Sequence, residues 1–340
     1  MTGMNAHGVT GQTAARTLVV AVLTFRRPVD LAGILPMLVA QLHDVRDGVA
    51  GSEPVAGMVV AGSVLVIDND PAGSARGTVE DAVSGMPDDD RALVRYAHEP
   101  TPGIAAARNR ALEVARGADL LVFIDDDERP TEHWLRSLLD VQERTGAAAV
   151  AGPVVSDYEV EPGPWIVAGR YFERRHLADG SPITVAATNN LLLDLAFTDA
   201  LGLRFDTTLG VIGGEDTLFT RQIVEGGGRM FWAAGAGVVD VVPRNRVTKK
   251  WVVLRAFSSG NSWSVTTLML LQGRSPERLA AQLGLTLRGA LRGAAGTGQI
   301  VAGILLGSLE HRARGTRTLA RGAGMISGAW GYSYEEYRRA

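Results

Sequence analysis

Three apolar runs, TLVVAVLTF (Thr17 to Phe25), SVLVIDND (Ser63 to Asp70) and LLVFIDDDERP (Leu120 to Pro130), each end in polar or acidic residues and are separated by helical patterns. A short apolar run bounded by charge reads as a strand buried on both faces, and helices between such strands make them parallel. The chain is therefore expected to be an α/β protein with a largely parallel sheet covered by helices. Its strand ends would share one edge, where ligands of open α/β sheets bind. LVRYAHE adds a short strand. The helices expected are Val29 to about His43, the segment IAAARNRALEVARG between Gly103 and Gly117, and TEHWLRSLLDVQER with Thr131 as its cap.

After Gly146 the pattern loosens. AAAVAGPVV reads as one strand, Ser156 to Asp179 as an irregular segment, and VAATNNLLLD as a strand interrupted by Thr188, Asn189 and Asn190. GGEDTLFTRQIVEGG opens as a glycine turn and becomes a helix, and beyond Pro243 the chain reads as mostly helical. This divides the 340 residues into a disordered leader (1–16), a main domain (17–245) and a helical extension (246–340). A Gly/Ala-rich loop, DGVAGSEPVAG, precedes the second long strand.

Charge and composition exclude several classes. The formal net charge is −3, which gives no basic face for nucleic acid. Its distribution is uneven: Arg274 to Ala340 holds ten arginines against four glutamates. That tail mixes apolar stripes with arginine, so either a basic amphipathic helix lies on an anionic membrane or the helices pack on the main domain with arginines in water. Absence of cysteine removes disulfides and thiolate metal sites and fits a reducing, cytoplasmic compartment, with peripheral contact at the inner face of the membrane as the alternative. No apolar run approaches the roughly 20 residues of a spanning helix.

Three consecutive aspartates, Asp125, Asp126 and Asp127, at the mouth of a buried strand are an electrostatic problem, because like charges a few Å apart resist joint ionisation. A hard divalent cation such as Mn²⁺ or Mg²⁺ would offset it, taking oxygen ligands and leaving positions for substrate phosphates. On an extended segment Asp125 and Asp127 share one side and Asp126 takes the other. Asp126 is thus expected to make structural or sugar contacts.

The ordered set TFRR, VIDND, GIAAARN, FIDDDERP, TNNLLL and GGEDTLF resembles glycosyltransferase family 2 over about Thr17 to Gly260. The resemblance implies a GT-A fold, Rossmann-like with a mixed, mostly parallel sheet, divided into a nucleotide-sugar half (17–130) and an acceptor half (131–245). It implies that Thr24, Phe25 and Arg26 surround the nucleotide base, that Asp68 accepts from the base ring with Asp70 close by, and that Gly103, Arg108 and Asn109 form the floor beside ribose and diphosphate. Asp125 and Asp127 become the metal motif, with Asp127 the direct ligand. Asp216 becomes the general base of an inverting transfer, and Glu215 binds the acceptor or holds Asp216 in place. Asn190 is assigned to donor-sugar or acceptor contacts, with a structural ladder as the alternative, and Arg255 to a phosphate. Asp240 stands where many relatives have a further metal-binding histidine. Without membrane helices or the motif of processive synthases, single addition is expected. The donor is a nucleotide-sugar, a UDP-sugar first, and the acceptor a glycan, lipid-linked or small-molecule hydroxyl. Two other readings compete: an Asp-x-Asp phosphatase, disfavoured by Arg129 at the Thr/Val position, and a catalytically silent sugar-binding module.

Overall fold

The computed structural model describes residues 16–47, 60–210, 212–271 and 276–334. Residues 1–15 of the expected leader and most of the Gly/Ala-rich loop lie outside the described residues, and Arg16 already belongs to the first strand. The first half runs β1 (Arg16–Thr24), α1 (Pro28–Asp47), β2 (Val60–Asp68), α2 (Ala75–Ser84), α3 (Asp88–Leu93), β3 (Val94–His98), α4 (Ile104–Val114) and β4 (Leu120–Asp125). β1 pairs in parallel with β2 and β4, and β2 with β3. The crossover helices supply the connections that parallel pairing needs.

The second half continues with β5 (Glu128–Pro130), α5 (Trp134–Thr145), β6 (Ala149–Ala151), β7 (Val154–Tyr158), α6 (Pro164–Ala168), β8 (Pro182–Ile183), β9 (Asn190–Asp194), α7 (Leu195–Ala200), α8 (Glu215–Glu225), β10 (Met230–Trp232) and β11 (Val238–Val242). Eight strands form one sheet in the order β3-β2-β1-β4-β9-β6-β10-β8, and a smaller sheet has the order β5-β11-β7. β9 runs antiparallel to both β4 and β6, so the sheet is mixed. AAAVAGPVV is therefore two strands in two sheets rather than one. Periodicity could not show this, because both halves of the run are buried.

Strand residues alternate between two cores. Val20, Val22, Val64, Val66, Val122 and Ile124 face α1 and α5, packing on Leu35, Leu38, Trp134 and Leu138. Val19, Ala21, Leu65, Ile67, Leu121 and Phe123 face the other side with Ala107, Ala111, Phe219 and Ile223 of α4 and α8. Burying such a side chain contributes roughly 1.5–3 kcal/mol, so the period-two pattern fixes the register of the strands that carry the site. α5 begins later than the sequence suggests. Thr131 gives its hydroxyl to the Gly237 carbonyl at 2.9 Å, and His133, in a left-handed conformation, stands at the helix entry instead.

Three long helices follow: α9 (Lys249–Leu270), α10 (Pro276–Leu305) and α11 (Leu309–Ala329). Their glycines are packing devices. A Cβ on Gly260 of α9 would meet the Arg321 carbonyl at 2.0 Å, and one on Gly324 of α11 the Phe257 carbonyl at the same distance. Loss of helix propensity at glycine is thus offset by close backbone approach between helices. Among the described residues no helix is long and apolar enough to cross a membrane.

Candidate active site

The extended chain of β4 stops at Asp125; Asp126 and Asp127 form the turn, and β5 returns with Glu128. The alternation expected across the three aspartates therefore fails. Asp126 is buried and lines the same cleft as Asp125 and Asp127, because turn geometry rather than strand pleat aims these side chains. Arg27 bridges the turn, donating to Asp126 Oδ1 at 2.9 Å and to Asp127 Oδ2. Burial pushes the Asp125 carboxyl up to about 7 against the pull of Arg108, with Asp127 and Asp126 adding repulsion. Glu128, 1% exposed, is raised well above its ordinary value by burial and then by the charge of Asp125. It accepts a hydrogen bond from the Asn189 side chain.

A second acidic pair stands across the cleft. Gly213 and Gly214, at φ 82° and 97°, turn the chain into α8, whose first residues are Glu215 and Asp216. Left-handed backbone of this kind suits glycine. Glu215 is buried and ion-paired to Arg108 of α4, itself buried, and burial raises its carboxyl above the ordinary range. Arg108 also feels the charges of Asp125 and Asp216, so one guanidinium serves both acidic groups. Asp216 lines the cleft and accepts from the Thr217 N–H at 2.6 Å.

The cleft measures about 460 Å³ and takes in Thr24, Phe25 and Asn69 at one end and Arg174, Arg246 and Arg255 at the other. Such a volume suits a drug-sized polar ligand. Three buried oxygen atoms around it have no partner among the described residues: Thr188 Oγ1, Asn189 Oδ1 and Glu215 Oε2. Buried polar atoms are normally paired, so this surplus of acceptors calls for cations or hydroxyl donors from a ligand. No three His, Cys, Asp or Glu side chains are grouped to hold a metal among the described residues. A cation here would take Asp125 and Asp127 and draw its remaining oxygens from a ligand, as open Mg²⁺-type sites do.

Several expected contacts are elsewhere. Asp68 is fully buried and closes the loop after β2, accepting from Asp70 N (3.0 Å), Ala75 N (2.8 Å) and Tyr96 Oη (2.9 Å). Asp70 is held by Arg26 at 3.2 and 3.1 Å, and that hydrogen-bonded pair pulls its carboxyl down to about 2. None of Asp68, Asp70 or Arg26 lines the cleft. Arg26 has φ 55°, which turns it outward over Phe25 and sends Arg27 inward. Asn109 spends both ends of its amide on the Phe205 backbone at 2.8 Å each. Asn190 accepts from Trp134 Nε1 at 2.9 Å and donates to Ala236 O at 2.7 Å and Pro153 O at 3.2 Å, so it is structural. Gly103, at φ 124°, starts α4 and gives its N–H to Asn69 Oδ1 at 3.1 Å; the helix residues after it, Ile104, Ala107 and Arg108, form the floor. Sequence reasoning missed Arg27, Asn69, Glu128, Arg174 and Arg246; the doubled arginine in TFRR was the available signal for the first.

Comparison with known proteins completes the picture. The pattern described as Glycosyl transferase family 2 matches residues 63–201. The succinoglycan biosynthesis protein ExoM of Rhizobium meliloti (strain 1021) is 33% identical over 312 residues, 92% of each chain. The chain belongs to glycosyltransferase family 2. It is a glycosyltransferase, and membership sets aside the phosphatase reading. The mannosyltransferase PcManGT from Pyrobaculum calidifontis, solved with GDP-Man and Mn²⁺, superposes with a TM-score of 0.60 at 16% identity, covering 94% of this chain and 88% of that one. At that identity the likeness speaks to the fold alone, the GT-A arrangement of a mostly parallel sheet with flanking helices.

Proposed function

We propose that this enzyme transfers a single hexose from a nucleotide-sugar, a UDP-sugar first among candidates, to a hydroxyl of a glycan, glycolipid or small molecule, with inversion and with Mn²⁺ or Mg²⁺. The observation that carries this reading is one cleft holding two acidic groups with distinct neighbours. One is the turn at Asp125 to Glu128, and the other is Glu215 with Asp216, joined through Arg108.

Thr24, Phe25 and Asn69 would receive the nucleotide end. Asp125 and Asp127 would hold the cation, which when bound neutralises charge developing on the leaving diphosphate. Asp216 would take the proton of the acceptor hydroxyl as that oxygen forms its bond to the anomeric carbon. The bond from that carbon to the diphosphate oxygen breaks, and its electron pair leaves with the phosphate. Glu215 is fixed on Arg108 by one oxygen and keeps Oε2 for an acceptor hydroxyl. In this reading residues 17–130 are the donor half, 131–245 the acceptor half and 246–340 the extension. The GDP-Man and Mn²⁺ bound by the archaeal mannosyltransferase support the donor class and the cation. The name of the ExoM relative, a succinoglycan biosynthesis protein, supports a place in cell-envelope glycan assembly.

The C-terminal helices fit the cytoplasmic surface of an anionic bilayer. α10 exposes Leu279, Leu283, Leu287 and Leu291 at four-residue spacing, each more than half exposed, beside exposed Arg288 and Arg292. An apolar ridge flanked by arginine suits an interfacial helix. Co-sedimentation with anionic vesicles checks this: the full chain should pellet and L283E/L287E should stay in solution, whereas equal pelleting contradicts it.

For the transfer itself, a panel of UDP- and GDP-sugars with Mn²⁺ should give nucleoside diphosphate release from at least one donor, abolished by EDTA. No cation-dependent release or binding with any donor overturns the reading.

A further inference from the structure

Beyond the catalytic carboxylates the cleft opens into a chamber of about 220 Å³ between β11, α9, α11 and the segment after α6. Arg174, Arg246, Arg255, Arg317 and Arg321 line it, with Trp251 stacked on Phe172 at 6.0 Å as its wall. Glu173 and Asp240 are its acidic residues among those described, and both already face arginines. Asp240 accepts from Arg174 at 2.9 Å, and Glu173 is 3.3 Å from Arg170. Among the described residues, both carboxylates that line the chamber are thus already committed to an arginine.

Arg317 and Arg321 lie four residues apart on α11, on one helix face, where like charges repel. Among the described residues neither has a carboxylate partner; Arg317 donates to the carbonyls of Gly169 and Arg170. Partial burial, and then the like charges of Arg292 and Arg317, pull Arg321 below the ordinary arginine range. Helix α11 is nonetheless held here by backbone-to-backbone packing at Gly260 and Gly324. Crowding arginines without counter-charge costs free energy unless an anion joins them, and planar guanidinium forks match phosphate oxygens.

Location decides which anion. Arg174, Arg246, Arg255 and Asp240 line both the chamber and the catalytic cleft, whereas Arg317, Arg321 and Trp251 belong to the chamber only. In the proposed function a donor running from Phe25 and Asn69 to Asp125 and Asp127 would have its phosphates at the cation end. The α11 arginines, which do not line that cleft, would be left unused by it.

We propose that this chamber binds a phosphate or diphosphate group carried by the acceptor, so that the enzyme selects acceptors whose sugar bears such an ester. The inference rests on the glycosyl-transfer reading. The group can come from a membrane lipid carrying the acceptor sugar or from a water-soluble sugar phosphate, and both present the same oxygens to the same arginines.

The test is calorimetric titration of the full chain in EDTA, which removes cation-bridged binding at the donor end, with inorganic diphosphate and with farnesyl diphosphate as probes. Wild type should bind both, and R321Q should weaken both at least tenfold with an unchanged melting temperature. R317Q should do the same; because Arg317 also braces two carbonyls, R321Q decides if R317Q unfolds. D125N should bind like wild type. Farnesyl diphosphate binding at least tenfold tighter than inorganic diphosphate assigns the lipid source, and equal binding the water-soluble one. No binding to wild type, equal binding to R321Q, or loss of binding in D125N overturns the proposal. Titrating UDP and GDP with Mn²⁺ into the same variants in EDTA-free buffer separates the two readings: nucleotide binding retained in R321Q leaves the transfer reading standing even where the chamber fails, and nucleotide binding absent from wild type removes both.

Discussion

The two acidic groups of the cleft are held by different kinds of arginine. The turn at Asp125 to Glu128 leans on Arg27, whose side chain is 38% exposed and reaches Asp126 and Asp127 from the cleft side. Glu215 leans on Arg108, whose side chain is 8% exposed and cannot leave without abandoning a buried carboxylate. A partly solvated pair is worth little and can exchange partners, whereas breaking a buried pair costs several kcal/mol. Under the proposed function, the turn would hand its carboxylates to another cation, while the Glu215 side would stay fixed and hold Asp216 in one position.

The largest effect expected is on turnover. D216N should lower transfer by about 10²–10⁴-fold with the melting temperature unchanged, measured by nucleoside diphosphate release; near-normal release would remove the base assignment. D127A should lower transfer by about 10²–10³-fold, and D126N should cost less, because Asp126 serves Arg27 within the turn.

Next comes the contrast in stability. R108M should destabilise the fold by about 3–5 kcal/mol, since it strands Glu215. R27M should cost less, about 1–3 kcal/mol, because Arg27 is itself partly exposed although the Asp126 it leaves behind is buried. Urea denaturation of both variants checks the difference, and equal losses would break the comparison. N109A should cost about 1–3 kcal/mol without changing nucleotide affinity, because it leaves the Phe205 backbone groups unpaired.

The smallest effect is at Arg26. Its hydrogen bonds hold Asp70 at about 2, below its unfolded value of 3.8. A depressed carboxyl pKa contributes stability above the unfolded pKa and loses it as pH falls through the folded one. The difference in melting temperature between wild type and R26A should therefore be constant above about pH 5 and shrink between pH 4 and 2. A difference independent of pH would show that the pair does not act through ionisation.

Much of the fold was legible, because strands buried on both faces advertise themselves as apolar runs and their helices by spacing. The site was legible to the level of the segment and not the side chain. TFRR, FIDDDERP and GGED all reach the cleft, yet within TFRR a single positive φ at Arg26 exchanges the inward arginine. Asp68 and Asp70 look like ligands in sequence because strand-end aspartates serve both substrates and turns; here they close a turn. Asn109 and Asn190 spend their amides on backbone groups that arrive from distant segments, which no local pattern records. The arginine chamber draws on residues 171–174, 240–259 and 317–321, so its composition exists only after folding.

The most direct measurement of the central claim is calorimetry of UDP and GDP binding, with and without Mn²⁺, to wild type, D127A and D216N. The account predicts Mn²⁺-dependent binding of at least one nucleotide to wild type and to D216N, and its loss in D127A. Binding to D127A that equals wild type, or its loss in D216N, would contradict the division of labour between the two acidic groups.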